Sequence, residues 1–499
     1  MSRRQPCEVP EPIRTAARLG LVLAGLLWAA PAQAQSTGRD TDRIDITGRQ
    51  NLTLGSGARA YGMGGAFLAR ADDATAASWN PAGLSYLRLP ELSLVGAFNS
   101  FDISRGAIAD SALAITDSFR GQAIDFGAFT WPVAIGSAGG AVQLSYQRAV
   151  SFDGRRRIAV YESGTLKNLD EGQSNGGFDV VAFGTGLRLT RGLRAGFTAN
   201  RWLNGYDQTL SRTYYVDKSH PLRDFYLHFR PEGWSFNLGL MWSPVESLNV
   251  GAVYKTGFSA DVKLDKTRRD SWGTLANIED VTTNAHSSQL VQLDFPASYG
   301  IGLSWRPRDT LTLSADFTLT RWSQAQIVDY FDLPFTPRDE GGVPATKPPP
   351  QVYPLLQYPS LSAVPTSDDP LDPARIAGQQ DKQELRAGVE WVLIKGRLKV
   401  PLRAGYFSDR QITPGLAGSI PRFNGFTAGA GIVLGSVLLD VAYVYEFGKY
   451  YVATAPDASS SSDLGSVPAA ASVPTPAQRN ALTTNRVFAS IIYRFNGRP

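Results

Sequence analysis

The sequence predicts an all-β protein, a transmembrane antiparallel β-barrel of about fourteen strands. Three observations predict it. The first residues have the layout of an export signal, hydrophobic residues alternate with period two from about residue 91, and short connections alternate with long ones.

The export signal comes first in the chain. Arg14 and Arg18 lead into the apolar run Leu19 to Ala30, and Ala32-Gln33-Ala34 places small residues where a signal peptidase reads. The run falls short of the roughly 20 apolar residues that a spanning helix needs. A buried helix of a cytosolic protein is the alternative. With residues 1–34 as signal peptide, cleavage removes Cys7, the sole cysteine, and leaves no thiol for a disulfide or a metal. Because Cys7 precedes the apolar run, a lipoprotein anchor does not fit. No other run is long enough for a spanning helix, which excludes a helical inner-membrane bundle. The 49 Lys+Arg against 45 Asp+Glu leave a net charge of +4 with the basic residues dispersed, so nucleic acid is not an expected partner. A hydrophobic fraction of 43% suits a barrel, in which only alternate residues face lipid.

The alternation is plainest at Thr310 to Thr320. Leu311, Leu313, Ala315, Phe317 and Leu319 fall on one face, and Thr312, Ser314, Asp316, Thr318 and Thr320 on the other. Val437, Leu439, Val441, Tyr443, Tyr445 and Phe447 repeat it opposite Asp440, Ala442 and Glu446. Such segments run 91–100, 121–131, 138–150, 178–190, 193–204, 234–244, 247–263, 297–306, 310–324, 383–394, 398–409, 423–434, 436–449 and 485–495. The connections at 132–137, 191–192, 245–246, 307–309, 395–397 and 435 are short. Those at 101–120, 151–177, 205–233, 264–296, 325–382, 410–422 and 450–484 are long. A soluble two-sheet sandwich, the alternative, has no reason to gather every long loop at one end. An outer-membrane barrel does, with tight periplasmic turns and long outer loops. Trp131, Trp242 and Trp305 at short-turn ends, with Trp202 and Trp322 near long-loop ends, predict two interfacial aromatic girdles. The last segment, Arg486 to Phe495, ends on an aromatic that resembles the signal read by barrel-assembly machinery.

Residues 35–90 do not alternate. They contain Arg59-Ala60-Tyr61, then Asp72-Asp73-Ala74, then Asn80-Pro81-Ala82, in a Gly- and Ala-rich setting. This resembles the start of the mature FadL-type family of outer-membrane transporters for long-chain fatty acids and hydrocarbons. The resemblance implies that residues 35–90 form a hatch in the lumen of a fourteen-stranded barrel spanning 91–495. It implies passive transport, with fatty acids as the first expected substrate and hatch movement as the gate. It also implies sideways exit through the wall at a kinked strand, for which Gly136, Gly139 and Gly140 are the candidates. The same signature resembles PorV-type barrels, which act as secretion or attachment partners. A general porin is a third reading, disfavoured because a hatch obstructs water-filled flow.

For substrate capture, Leu222, Phe225, Tyr226 and Phe229 follow helical spacing beside Arg223 and Arg230, which predicts an amphipathic loop helix. The alternative is that this stripe packs onto neighbouring loops. Phe67, Leu68 and Trp79 are expected to add apolar wall inside the barrel. The Gly62-Met63-Gly64-Gly65 run lacks the following Lys-Ser/Thr of a phosphate loop. His220, His228 and His286 show no metal-ligand spacing and no nucleophile motif is visible, so neither catalysis nor a cofactor is expected. The Pro348–Pro350 and Asp368-Asp369-Pro370 stretches read as a solvated loop. Expected surroundings are outer-membrane lipid and lipopolysaccharide.

Overall fold

A computed structural model describes residues 55–107, 113–135, 138–215, 222–274, 277–329, 351–354, 380–396, 398–412, 421–452 and 478–495. The export segment with Cys7, Gly136, His220, Pro348–Pro350 and Asp368–Pro370 lie outside the described residues. Twenty strands are described. They are β1 (Glu91–Ala107), β2 (Leu113–Ile135), β3 (Ala138–Ser151), β4 (Gly154–Glu162), β5 (Thr165–Arg188), β6 (Leu193–Leu203) and β7 (Tyr206–Tyr214). Next come β8 (Leu222–Val245), β9 (Leu248–Lys255), β10 (Phe258–Thr274), β11 (Asn277–Phe295), β12 (Ser298–Arg308) and β13 (Leu311–Thr320). The rest are β14 (Gln326–Asp329), β15 (Gln351–Pro354), β16 (Lys382–Lys395), β17 (Leu398–Arg410), β18 (Arg422–Leu434), β19 (Val437–Val452) and β20 (Gln478–Arg494).

Fourteen of these form a closed antiparallel ring in the order β1, β2, β3, β5, β6, β8, β9, β12, β13, β16, β17, β18, β19, β20. Closure is made by β20 pairing with β1, from Glu91↔Arg494 to Ala107↔Gln478. Each ring strand overlaps one of the expected segments. The long connections differ from expectation. The stretches 151–177, 205–233, 264–296 and 325–382 carry β4, β7, β10, β11, β14 and β15, and β5 and β8 run on into them. These strands add to the sheet at the long-connection end, as where β4 pairs with both β2 and β5. The segment 247–263 divides into β9 and the start of β10 at Thr256-Gly257.

Side chains sort as they would for hydrocarbon outside and water inside. On β12, Tyr299, Ile301 and Leu303 are 47%, 62% and 46% exposed, while Ser304 of the opposite parity is buried. Along β13, Thr312, Ser314 and Asp316 are buried and Leu313 and Phe317 exposed. A water-soluble sheet has the opposite arrangement. Trp131, Trp242 and Trp305 lie on the exposed face as expected, joined by Trp391 and Trp234. Trp202 and Trp322 do not form a second girdle. Both are buried inside the ring, where Trp202 stacks on Phe258 at 4.8 Å and Phe295 at 6.1 Å.

The described N-terminal residues pack against the inward faces of the strands. Their short helical turns, Ala58–Gly62, Ala76–Trp79 and the 3₁₀ turn Pro81–Tyr86, are too brief to satisfy their own backbone, and the wall supplies partners. Asp316 accepts the Phe67 and Leu68 amides at 2.6 and 2.7 Å. Thr427 accepts the Gly64 amide at 2.9 Å and donates to Gly62 O at 3.0 Å, and Gln143 donates to Ala74 O at 2.7 Å. Asn80 caps the 3₁₀ turn by accepting the Ala82 amide at 3.1 Å, while its Nδ2 donates to Leu68 O at 2.9 Å and Leu240 O of β8 at 3.1 Å. Pro81 at the first position of that turn needs no donor partner.

Contact this close requires the wall to lack side chains. A Cβ on Gly196 would sit 2.2 Å from Pro81 C, on Gly239 2.1 Å from Asn80 Oδ1, and on Gly388 2.3 Å from Met63 O. At Gly405 it would sit 2.2 Å from Gly64 N. The Gly62-Met63-Gly64-Gly65 run turns at positive φ, 69° at Gly64 and 77° at Gly65, which glycine adopts without strain.

Charge completes the attachment. Glu390 on β16 takes Arg59 through Nε at 3.0 Å and Nη2 at 3.1 Å, Arg70 at 3.2 Å and Arg403 of β17 at 2.8 Å. Arg59 also reaches Asp72 at 2.7 Å and Asp73 at 3.4 Å; Arg70 pairs with Asp72, and Arg403 reaches Asp440 of β19 at 2.5 Å. Burial opposes the Arg59 charge, but Glu390 and Asp73 outweigh it and its proton is held more tightly than usual. Burial, then repulsion from Arg59, lowers Arg70 to about 10, so it stays charged at neutral pH.

Two expected outcomes follow. Gly405→Val is expected to leave barrel closure intact, read by heat-modifiable electrophoretic migration, while displacing the N-terminal residues and raising ion conductance in planar bilayers. Wild-type conductance would contradict the close packing. Glu390→Gln removes the charge shared by three arginines and is expected to destabilise by about 3–5 kcal/mol, read as a lower thermal transition, with partial recovery in Glu390→Asp.

Candidate functional site

Two regions fill the lumen unequally. On the β5 to β13 side, Phe152, Phe178, Trp202, Tyr206, Phe295 and Trp322 pack as a solid aromatic cluster. Across from it, against β1 to β3 and β17 to β20, lies a cavity of about 150 Å³. Its wall is mixed: Phe101 and Phe119 stack at 4.9 Å and Tyr61 and Phe488 at 4.0 Å beside Phe423 and Leu482, while Asn99, Gln147, Gln411 and Thr484 add polar groups. Tyr61 is held by donating from its hydroxyl to Gly55 O at 2.8 Å, and burial followed by the nearby Asp125 raises its proton affinity.

The charged groups of the cavity each have a partner. Arg148 donates to Asp179 at 2.7 and 3.2 Å and pairs with Asp153. Arg486 donates to Glu446 at 3.0 Å, and Asp125 accepts the Ser56 hydroxyl. A carboxylate arriving as ligand would compete with Asp179 and Asp153 for Arg148 and with Glu446 for Arg486, whose Nε has no acceptor among the described residues.

Beside the cavity the wall ladder is interrupted. β2 pairs with β3 from Ile135↔Ala138 up to Phe126↔Gln147, and with β4 only from Arg120↔Arg155 onward. Gly121 to Asp125 therefore have no ladder partner on that side among the described residues. Both neighbouring strands are irregular there. The β1–β2 register skips Asp125, between Val95↔Phe126 and Gly96↔Ile124, and the β3–β5 register skips Ala149. Ala123, Asp125, Ala149 and Val150 at these edges also line the cavity. The irregularity does not lie at the expected glycines: Gly139 and Gly140 pair regularly with Ala134 and Val133.

The other expected site residues divide. Arg59, Asp72 and Asp73 join the ion cluster, Tyr61 lines the cavity, and Asn80 and Pro81 anchor the segment. Leu68 and Trp79 border a smaller space of about 50 Å³ beside Lys255, Glu384 and Arg386. Phe67 lines neither space and packs edge-on against Trp79 at 6.1 Å. The loop helix is not formed. Leu222, Arg223, Phe225, Tyr226, Phe229 and Arg230 lie on β8, paired with β7 and β10 through Phe229 and Arg230 respectively. Their backbone groups are committed to neighbouring strands, and a strand does not gather residues of helical spacing on one face. Sequence reasoning missed Glu390, Arg403, Phe101, Phe119 and Phe488. The first two carried a usable signal, since a charge at an inward position of a membrane strand marks a structural or functional group.

Comparison with known proteins agrees with this architecture. A family profile described as outer membrane protein transport protein (OMPP1/FadL/TodX) matches residues 226–485, just over half of the chain. No curated protein sequence matches. Among solved structures, the Pseudomonas putida toluene transporter TodX is similar at 13% identity and a TM-score of 0.52, over 89% of this chain and 100% of that one. A Pseudomonas aeruginosa FadL homologue is similar at 12% identity and a TM-score of 0.55, over 89% and 99%. The Ralstonia pickettii toluene transporter TbuX is similar at 13% identity and a TM-score of 0.50, over 89% and 99%. At such identities the structures speak for the fold, and the profile for kinship: the chain belongs to the OMPP1/FadL/TodX family of outer membrane transport proteins.

Proposed function

We propose that the protein passes compact, uncharged hydrophobic compounds passively across the outer membrane. The observation that carries this reading is the aromatic cavity of about 150 Å³ set against a break in the wall. A volume of about this size accommodates a benzene ring in an unrelated protein. The space is short for an extended acyl chain, and both arginines at its edge are paired with carboxylates. Size and charge thus favour a single-ring hydrocarbon over the long-chain fatty acid expected from the resemblance. The toluene transporters among the similar structures support this choice.

The route follows from what is closed. Residues 55–90, acting as the hatch, block the axis by backbone contact with wall glycines, so a ligand leaves sideways between β2 and β3 into the hydrocarbon. That exit costs a hydrophobic solute no return to water. The stacked aromatic pairs in the lining and the break in the wall favour uptake over the PorV-type reading, for which a polar, closed lumen would be expected. Export by residues 1–34, assembly through the Arg486–Phe495 strand and a surrounding lipopolysaccharide layer belong to the same reading.

In a strain lacking its own aromatic transporters, the protein is expected to raise uptake of radiolabelled toluene more than uptake of palmitate. Phe101→Ala combined with Phe119→Ala should cut toluene uptake about tenfold, equivalent to about 1.4 kcal/mol of lost aromatic contact. Deleting Ala149 removes the bulge in β3 and is expected to lower uptake while heat-modifiable migration persists. Uptake unchanged by both alterations would count against this cavity and this exit.

A further inference from the structure

We infer that the recess on the periplasmic side of the N-terminal residues is a carboxylate-binding site that receives an acidic peptide segment of a periplasmic partner. The inference stands apart from the uptake reading and needs only that the short turns face the periplasm. The recess measures about 820 Å³ and is walled by the hatch residues Arg70, Asp72 and Tyr86 together with the short-turn ends of β6, β8, β9 and β12. Four arginines line it, Arg70, Arg191, Arg194 and Arg306, against two carboxylates, Asp72 and Glu246.

One of the two carboxylates is already used. Asp72 is bound to Arg59 and Arg70. Arg191, Arg194 and Arg306 make no ion pair with a carboxylate among the described residues, leaving Glu246 as the one acidic side chain for three guanidinium groups. Arg194 is held ready: it lies 4.0 Å over the Tyr86 ring, and its Nη1 donates to Ser243 Oγ at 3.3 Å. The Nε donors of Arg194 and Arg70 are buried without an acceptor among the described residues. Such donors ordinarily meet a partner, and guanidinium groups take carboxylates in paired hydrogen bonds.

Guanidinium groups also read phosphate, so the source of the anion has to be argued. Trp242 and Val245 at its mouth are exposed, but Arg70, Asp72, Ser304 and Thr312 lie on the inner side of the ring, and a phospholipid headgroup could reach them only by drawing its chains out of the leaflet. A single small anion would leave most of the space and most of the charge unmatched. A flexible acidic chain satisfies several arginines at once. Arg70 belongs to both the recess and the Glu390 cluster, so an occupant there would touch the group that ties the hatch to the wall.

The test uses the full chain in detergent and a fluorescein-labelled hexaglutamate peptide, read by anisotropy. Saturable binding that weakens with added salt is expected, with affinity about tenfold or more lower in Arg191→Gln/Arg194→Gln. Arg157→Gln, at the long-connection end on β4, should bind as wild type does. If the double variant loses heat-modifiable migration, Arg306→Gln provides the same comparison. Absence of saturable binding, equal affinity in the recess variants, or equal loss in Arg157→Gln would overturn the site. Displacement of the peptide by inorganic phosphate or phosphatidylglycerol bicelles as readily as by unlabelled peptide would overturn the peptide assignment.

Discussion

The structure depends on backbone pairing between its first and last strands. Hydrocarbon offers no hydrogen-bond partner, so each unpaired N–H or C=O at an open edge would cost several kcal/mol. The β1–β20 ladder runs from Glu91↔Arg494 to Ala107↔Gln478 and closes the seam, so that the short unpaired stretch Gly121 to Asp125 on β2 stands out in the ring. Once the ring is closed, the two faces of every strand meet different solvents. That is why Ile301 is 62% exposed while Asp316, on the neighbouring strand, is buried.

An interior wall rich in charge would be unstable if left dry and unpaired. Here the charges are matched across strands and to the N-terminal residues, as where Glu390 of β16 holds Arg59, Arg70 and Arg403. Removing one member strands the others, which makes such a cluster costly to disturb and a good anchor. The glycines facing the segment act by shape rather than charge, letting two backbones meet where any side chain would intervene. Together they fix the N-terminal segment on several strands at once, and the interrupted β2–β3 edge is the irregular place in the wall.

All fourteen ring strands were legible in the sequence because a strand between lipid and lumen must alternate. The added strands were not, since stretches such as Lys263-Leu264-Asp265-Lys266-Thr267-Arg268-Arg269-Asp270 place polar residue types at both odd and even positions and carry no hydrophobic period. Trp202 was misassigned although its parity was readable, for it shares a face with Thr198 and Asn200, both buried. The Phe225–Phe229 spacing fits a helix locally, but pairing with β7 and β10, set by chain far away, prevails. The N-terminal motif residues were found because they contact the wall through recognisable types, Arg, Asp and Asn-Pro. The cavity could not be read, because Phe101 and Phe488 come to line one space only through the register of strands at opposite ends of the chain.

That last arrangement has a consequence for biogenesis. The aromatic cavity straddles the seam, with Phe101 from β1 on one bank and Phe488 from β20 on the other. No partly inserted intermediate can own a complete binding chamber, however many strands it has already threaded. Under the proposed function, competence to hold a solute therefore arrives in the final act of assembly.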